Sequence, residues 1–247
     1  MLPLRLTCRF TAAVALATAI LAAPLQARAA DAAPEPVPAV TYSVRPPPTS
    51  LERWGLHSGD TIGDGGTLIF GEVGWPDVSF GFQHGFSTNV DVGLRVSFIY
   101  ITEYVVPKPG NQTSLIAGLG LSIPVRVTVA RNDRLSLLVH ADPGVKFDGF
   151  DPKIFAGPQL PLGVDLGLHL SPRSTLTLGA DVPLAILVTP QVTGYVPLLM
   201  GLTFESRFTD HFGMSFNLRT GMLRAYNKTG SDSDLVLLAQ VGFFGRK

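Results

Sequence analysis

The chain has 247 residues, 46% of them hydrophobic and only 15% charged, with 26 Gly, 20 Pro, a single Cys and a formal net charge of zero. A disordered chain would be more charged and less apolar, a nucleic-acid binder would carry a basic excess, and a disulfide scaffold needs more than one cysteine. With a positive mean hydropathy, what remains is one globular or membrane domain whose solvent is partly lipid.

Residues 1–29 combine a basic start (Arg5, Arg9), an apolar run from Phe10 to Leu25, and the small-x-small sequence Ala27-Arg28-Ala29. That order predicts a cleaved secretory signal peptide; the apolar run is too short to span a bilayer. Cys8 precedes the apolar run, so no lipid-modified or disulfide-bonded cysteine is expected in the mature chain. Cleavage removes three arginines and leaves 16 basic against 19 acidic residues, too weak a charge to select a partner.

Residues 30–66 are predicted to be a Pro-rich periplasmic linker or N-terminal extension. Pro34, Pro36, Pro38 and Pro46 to Pro48 lack the N–H that a ladder or helix requires. The stretch from Asp60 to Gly66, DTIGDGG, lacks the alternating acids and terminal Glu of a calcium loop, so no metal site is expected there. Residues 51–66 have no role legible in the sequence.

From Thr67 onward apolar side chains recur at every second position, the period of a strand with one face in an apolar medium. The longest run joins Leu115, Ala117, Leu119, Leu121, Ile123, Val125, Val127 and Val129, interleaved with Gly118, Gly120, Ser122, Pro124, Arg126 and Thr128. Similar runs cover Thr67–Trp75, Asp77–Gln83, Val90–Tyr100, Leu135–Ala141, Leu160–Leu170, Leu176–Leu184, Val196–Phe204, Phe212–Met222 and Leu235–Phe243, ten strands in all. Short polar turns follow every second strand, at Ser87 to Asn89, Arg131 to Asp133, Ser171 to Arg173 and Thr209 to His211. Longer links are predicted between them, at 105–113, 142–159, 189–194 and 226–234.

Alternating short turns and long links, an even strand number and ten-residue strands predict an all-β, antiparallel up-and-down transmembrane β-barrel. About ten strands are expected, with eight to twelve possible, over residues 67–247. On this pattern the sequence resembles the small outer-membrane β-barrel proteins of Gram-negative bacteria. The resemblance implies location in the outer membrane, contact with its lipid and lipopolysaccharide, a porin-like architecture and a monomer. It also implies recognition of the last strand by the barrel-insertion machinery through Leu235, Leu237, Ala239, Val241 and Phe243, although Phe244 to Lys247 extend beyond the usual terminal aromatic. A soluble lipocalin-like carrier would reverse the faces and cover its exterior with Lys and Glu. Here the second face is mainly Gly, Ser and Thr with scattered charges.

The lumen-facing ionisable residues are the candidates for chemistry: Asp91, Arg95, Arg126, Asp165, His169, Asp181, Glu205 and Arg219. Arg95, Asp165, Asp181 and Arg219 are expected at mid-height and the other four nearer the short-turn rim. They predict either a hydrogen-bonded ion network that fills the bore, or a narrow charge-lined channel. Phe147, Phe150 and Phe155 are candidate loop contacts in the longest link. Trp75, Phe98, Tyr100 and Tyr195 at one rim, with Phe204, Phe212 and Phe243 at the other, read as interfacial girdles.

Catalysis is sought and not found. His140 and Asp142 stand near the rim, but in the reverse of the order used by the omptin proteases, and the paired Asp of that family is absent. His169 and Ser171 have the spacing of lipid-modifying barrels, but His169 lies on the polar face. No nucleophile–base–acid set is visible and no cofactor is implied. The predicted role is therefore that of a rigid anchor presenting its loops, with an outer-membrane hydrolase as a remote alternative.

Overall fold

The computed structural model describes residues 53–100, 117–150, 153–188, 193–227 and 230–247; the signal-peptide expectation and most of the Pro-rich linker lie outside them. The described residues form strands and connections only, in the order β1 (Thr67–Trp75), β2 (Asp77–Ser87), β3 (Val90–Ile99), β4 (Ala117–Ser122), β5 (Val125–Arg131), β6 (Leu135–Ala141), β7 (Gly144–Phe150), β8 (Lys153–Ser171), β9 (Ser174–Leu187), β10 (Thr193–Arg207), β11 (Phe212–Asn227) and β12 (Gly230–Arg246).

All pairings are antiparallel, and β12 pairs with β1, so the sheet closes. The twelve elements occupy ten positions in the ring. Strand β3 pairs with β5 near the short-turn rim (Asp91 with Arg126) and with β4 above it (Arg95 with Ser122); the register carries through Ile123-Pro124 unchanged. In the same way β6 and β7 continue each other across Asp142-Pro143 along β8. Proline explains both interruptions, because it brings no N–H to the ladder. The neighbouring residues keep the bridge: Ile123 N–H donates to Pro143 O at 2.9 Å, and Asp142 N–H to Pro161 O at 2.8 Å. From Ala117, where the described residues resume, the run read from Leu115 to Val129 is thus one crossing made of two elements.

The period-two pattern sorts the faces as expected. Outward side chains form an apolar belt, with Ile69 62%, Phe80 53%, Met200 63% and Met222 63% exposed, while Glu72, Asp91, Thr177, Thr203, Ser215 and Arg219 are buried inside. A soluble barrel would need the opposite arrangement. Phe98, Tyr100, Phe204, Phe212 and Phe243 are all exposed, and the Phe212 and Phe243 rings stack at 6.4 Å. The last strand presents Leu235 and Phe243 outward, and it runs three residues further than its alternating pattern, to Arg246, so that Phe244 turns inward and is buried.

Two expected long links are mostly strand, and so are the two described residues of a third. Asp142 to Gln159 contains β7 and the start of β8, 189–194 ends in β10, and 226–234 is nearly all ladder, with Asn227 paired to Gly230. Phe147 is therefore not a loop residue: it points out of β7 and is exposed. Phe150 and Phe155 also belong to the β7–β8 ladder, at its far end. Pro143 and Pro158 give this stretch the composition of a loop, whereas Pro143 only interrupts the ladder between β6 and β7 and β8 runs through Pro158. The 105–113 link lies outside the described residues.

Candidate functional site: a lumen filled from within

Residues 53–66 do not run along the outside of the barrel. They coil inside its short-turn half, where Asp60, Thr61 and Ile62 are wholly buried. Room for them comes from glycines on the inward face. A side chain on Gly167 would approach Ser58 O to 2.1 Å and one on Gly85 would approach Gly63 O to 1.9 Å, so main chain packs on main chain. Gly59 answers Gly167 from the segment, with a φ of 74° that favours glycine.

The segment is held as a bound peptide is held. Arg126 donates to the carbonyls of Gly55 (3.1 Å) and Asp60 (2.5 Å) and to Gln83 Oε1 (2.6 Å), with Asp91 at 3.9 Å. Asp91 accepts the Ile62 N–H at 2.9 Å, Thr128 Oγ1 the Thr61 N–H at 3.0 Å, and Glu205 the His57 N–H at 2.6 Å. Ser136 Oγ donates to Ser58 O at 3.4 Å. The side chains of the segment reach back: Asp60 pairs with Arg131 (2.6 Å) and His169 (2.9 Å), and His57 Nε2 lies 2.7 Å from Glu72. Trp54, Leu56 and Ile62 complete an apolar cluster with the inward Leu68, Phe70 and Phe244, Trp54 meeting the Phe244 ring edge-on at 5.6 Å. At about 1.5–3 kcal/mol for a fully buried large apolar side chain, these anchors contribute as much as the polar contacts.

A second network crosses the bore above this plug. Arg219 on β11 reaches Asp165 on β8 (3.1 Å), contacts Asp181 on β9, and donates from Nε to Asn217 at 3.2 Å. His140 on β6 lies 3.1 Å from Asp181 and 3.6 Å from Asp165. Arg95 pairs with Glu72 and stands 3.8 Å from Asp142, while Gln240 bonds to Asp77. Glycine again makes the space: a side chain on Gly179 would lie 2.6 Å from Asp165 Oδ1.

All eight lumen residues named from the sequence face the interior. Asp165, Asp181 and Arg219 meet in the mid-lumen network, Arg95 pairs instead with Glu72 and stands near Asp142, and Asp91, Arg126, His169 and Glu205 clasp the plug. Sequence reasoning missed Glu72, His140, Asp142, Asp60 and His57 as members. Glu72 was findable as the inward charge of β1; Asp60 and His57 lie in a stretch without periodicity.

His140 and Asp142 belong to this lumen lattice and do not form a catalytic couple at the rim. Asp60, His169 and Thr175 stand in the order acid, histidine, hydroxyl, with Thr175 Oγ1 3.2 Å from Nδ1. The free space beside them is about 10 Å3, no more than one water requires.

No family model matches the chain, and no curated protein does. Among solved structures it is similar to the KdgM porin in complex with disordered oligogalacturonate (8% identity, 73% of this chain and 96% of that chain, TM-score 0.36). It is also similar to the KdgM porin alone (9% identity, the same coverage, TM-score 0.32).

Proposed function

We propose that the chain is an integral outer-membrane barrel without enzymatic activity, closed by its own N-terminal segment and acting as a rigid membrane anchor that presents its far-rim hairpins. The observation that carries this reading is the burial of residues 53–62 in the short-turn half of the lumen, bonded on several sides by Arg126, Asp91, Glu205, Arg131 and His169.

An open pore would expose a solvated bore. Here guanidinium groups that could line a constriction are engaged, Arg126 with the plug backbone and Arg219 with two aspartates. The apolar exterior supports lipid as the surrounding solvent, and closure of the ring leaves no strand edge unpaired at the seam between the first and last strands.

The chain without residues 1–29, refolded in detergent, is expected to migrate differently on gels before and after boiling, to require detergent for solubility, and to give no steady conductance in planar bilayers. A steady conductance from this full mature chain would replace the anchor reading by that of a narrow channel. A detergent-free soluble monomer would overturn the membrane reading itself.

A further inference from the structure

Between the plug and the far half of the lumen lies a space of about 150 Å3. Its apolar lining is Leu56 of the plug, Pro124, Pro161, Pro183, Leu199 and Leu238. Pro161 and Pro183 stand opposite each other in the β8–β9 ladder, so their ring faces form a flat, rigid wall without donors. Its polar lining comes from strands on both flanks of β8 to β10 and includes Arg95, His140, Asp142, Asn217 and Gln240.

Size and charge narrow the occupant. An apolar cavity of about 150 Å3 accepts a benzene molecule, so this space has room for one six-membered ring. The permanent charges on its wall are Arg95, Arg126 and Arg219 against Asp142, Asp165 and Asp181, three of each sign. A charged guest would lose its hydration without gaining a net field and would compete with ion pairs already made. A hydroxyl both donates and accepts, which matches a lining where amides, carboxylates and guanidinium groups alternate.

We propose that this cup is a binding site for a small neutral hydroxylated aromatic of phenol size, its ring against Pro161, Pro183 and Leu199 on β8 to β10 and its hydroxyl toward His140 or Asn217, on the strands β6 and β11 that flank them. The proposal rests on the closed-lumen reading in one respect: Leu56 and His57 of the plug form part of the cup wall.

The test uses the full mature chain refolded in a non-aromatic detergent, with phenol as the probe and calorimetry or ligand-detected NMR as the readout. Saturable one-to-one binding of phenol is expected, with benzoate and glucose each at least ~10-fold weaker. Leu199→Trp fills the cup and should abolish saturation, whereas Leu202→Trp, on the exposed side of the same strand, should not. Leu238→Trp serves as a second filled variant, and unboiled gel migration certifies that each variant is folded. Unsaturable partitioning that is equal in the wild type and both filled variants overturns the proposal, as does tighter binding of benzoate or glucose. Failure of the closed-lumen reading has a different signature, conductance from the unliganded mature chain.

Discussion

Replacing Arg219 by methionine tests whether the mid-lumen charges are a fixed lattice. Arg219, Asp165 and Asp181 are all buried, and the guanidinium is the fixed positive charge between the two carboxylates. Methionine keeps most of the volume and leaves both carboxylates facing His140, at 3.1 and 3.6 Å, as their remaining basic neighbour. Breaking a buried pair by removing one partner costs about 3–5 kcal/mol, because the orphaned charge stays desolvated. Denaturant unfolding of the refolded barrel, followed by the fraction that still migrates as the folded species without boiling, should show a loss in that range. The triple variant Arg219→Met, Asp165→Asn, Asp181→Asn removes the orphaned charges along with their partner and should recover most of the loss, since neutral replacement of a buried ion set is often near neutral. A single variant within ~1 kcal/mol of the parent would refute the reasoning, because it would mean that water already solvates the network, as in an open channel.

Three further outcomes follow from the same geometry. Asp60→Asn weakens the pairs with Arg131 and His169 and should speed tryptic cleavage after Arg53 in a barrel that remains folded; unchanged cleavage would show that other contacts hold the plug. Gly167→Val puts carbon where Ser58 O now lies and should raise hydrogen exchange across residues 54–62 while sparing the ladder; no change in exchange would remove the plug from that wall. Leu202→Arg on the outward face should cost about 2–4 kcal/mol in lipid, the penalty for a cation on a barrel's membrane face; a cost near zero would mean that this face meets water.

The ring was legible because its two faces meet different solvents. Side-chain alternation reports that contrast directly, so strands, turns at one rim, and the eight inward charges could be placed from residue order alone. The plug was not legible for the converse reason. Between Trp54 and Ile62 the main chain pairs with wall side chains that lie 29 to 148 residues away, as in Ile62 to Asp91 and His57 to Glu205, and no local period encodes such contacts. Proline misled in a specific way: Pro143 and Pro158 carry the composition of a loop, yet β8 runs unbroken through Pro158. His140 was read beside Asp142 in sequence, while in space its partners are Asp165 and Asp181, two and three strand elements further along the chain.

The inward glycines and the inward charges are parts of a single solution. An irregular segment at membrane depth is tolerated only where protein surrounds it and satisfies its N–H and C=O groups. A ten-position ring lined by large side chains would leave no room for such a segment, and one lined by small apolar residues would leave its backbone unbonded at ~1–3 kcal/mol for each buried group. Gly85 and Gly167 supply the room, while Arg126, Asp91, Thr128, Ser136 and Glu205 supply the bonds. Arg126 shows the division most clearly: its carboxylate neighbour Asp91 is 3.9 Å away, whereas the carbonyl of Asp60 is at 2.5 Å, so its nearer obligation is to the plug backbone. The charges near the short-turn rim are thus peptide ligands first and ion pairs second, which is why they are spread around the ring facing the plug.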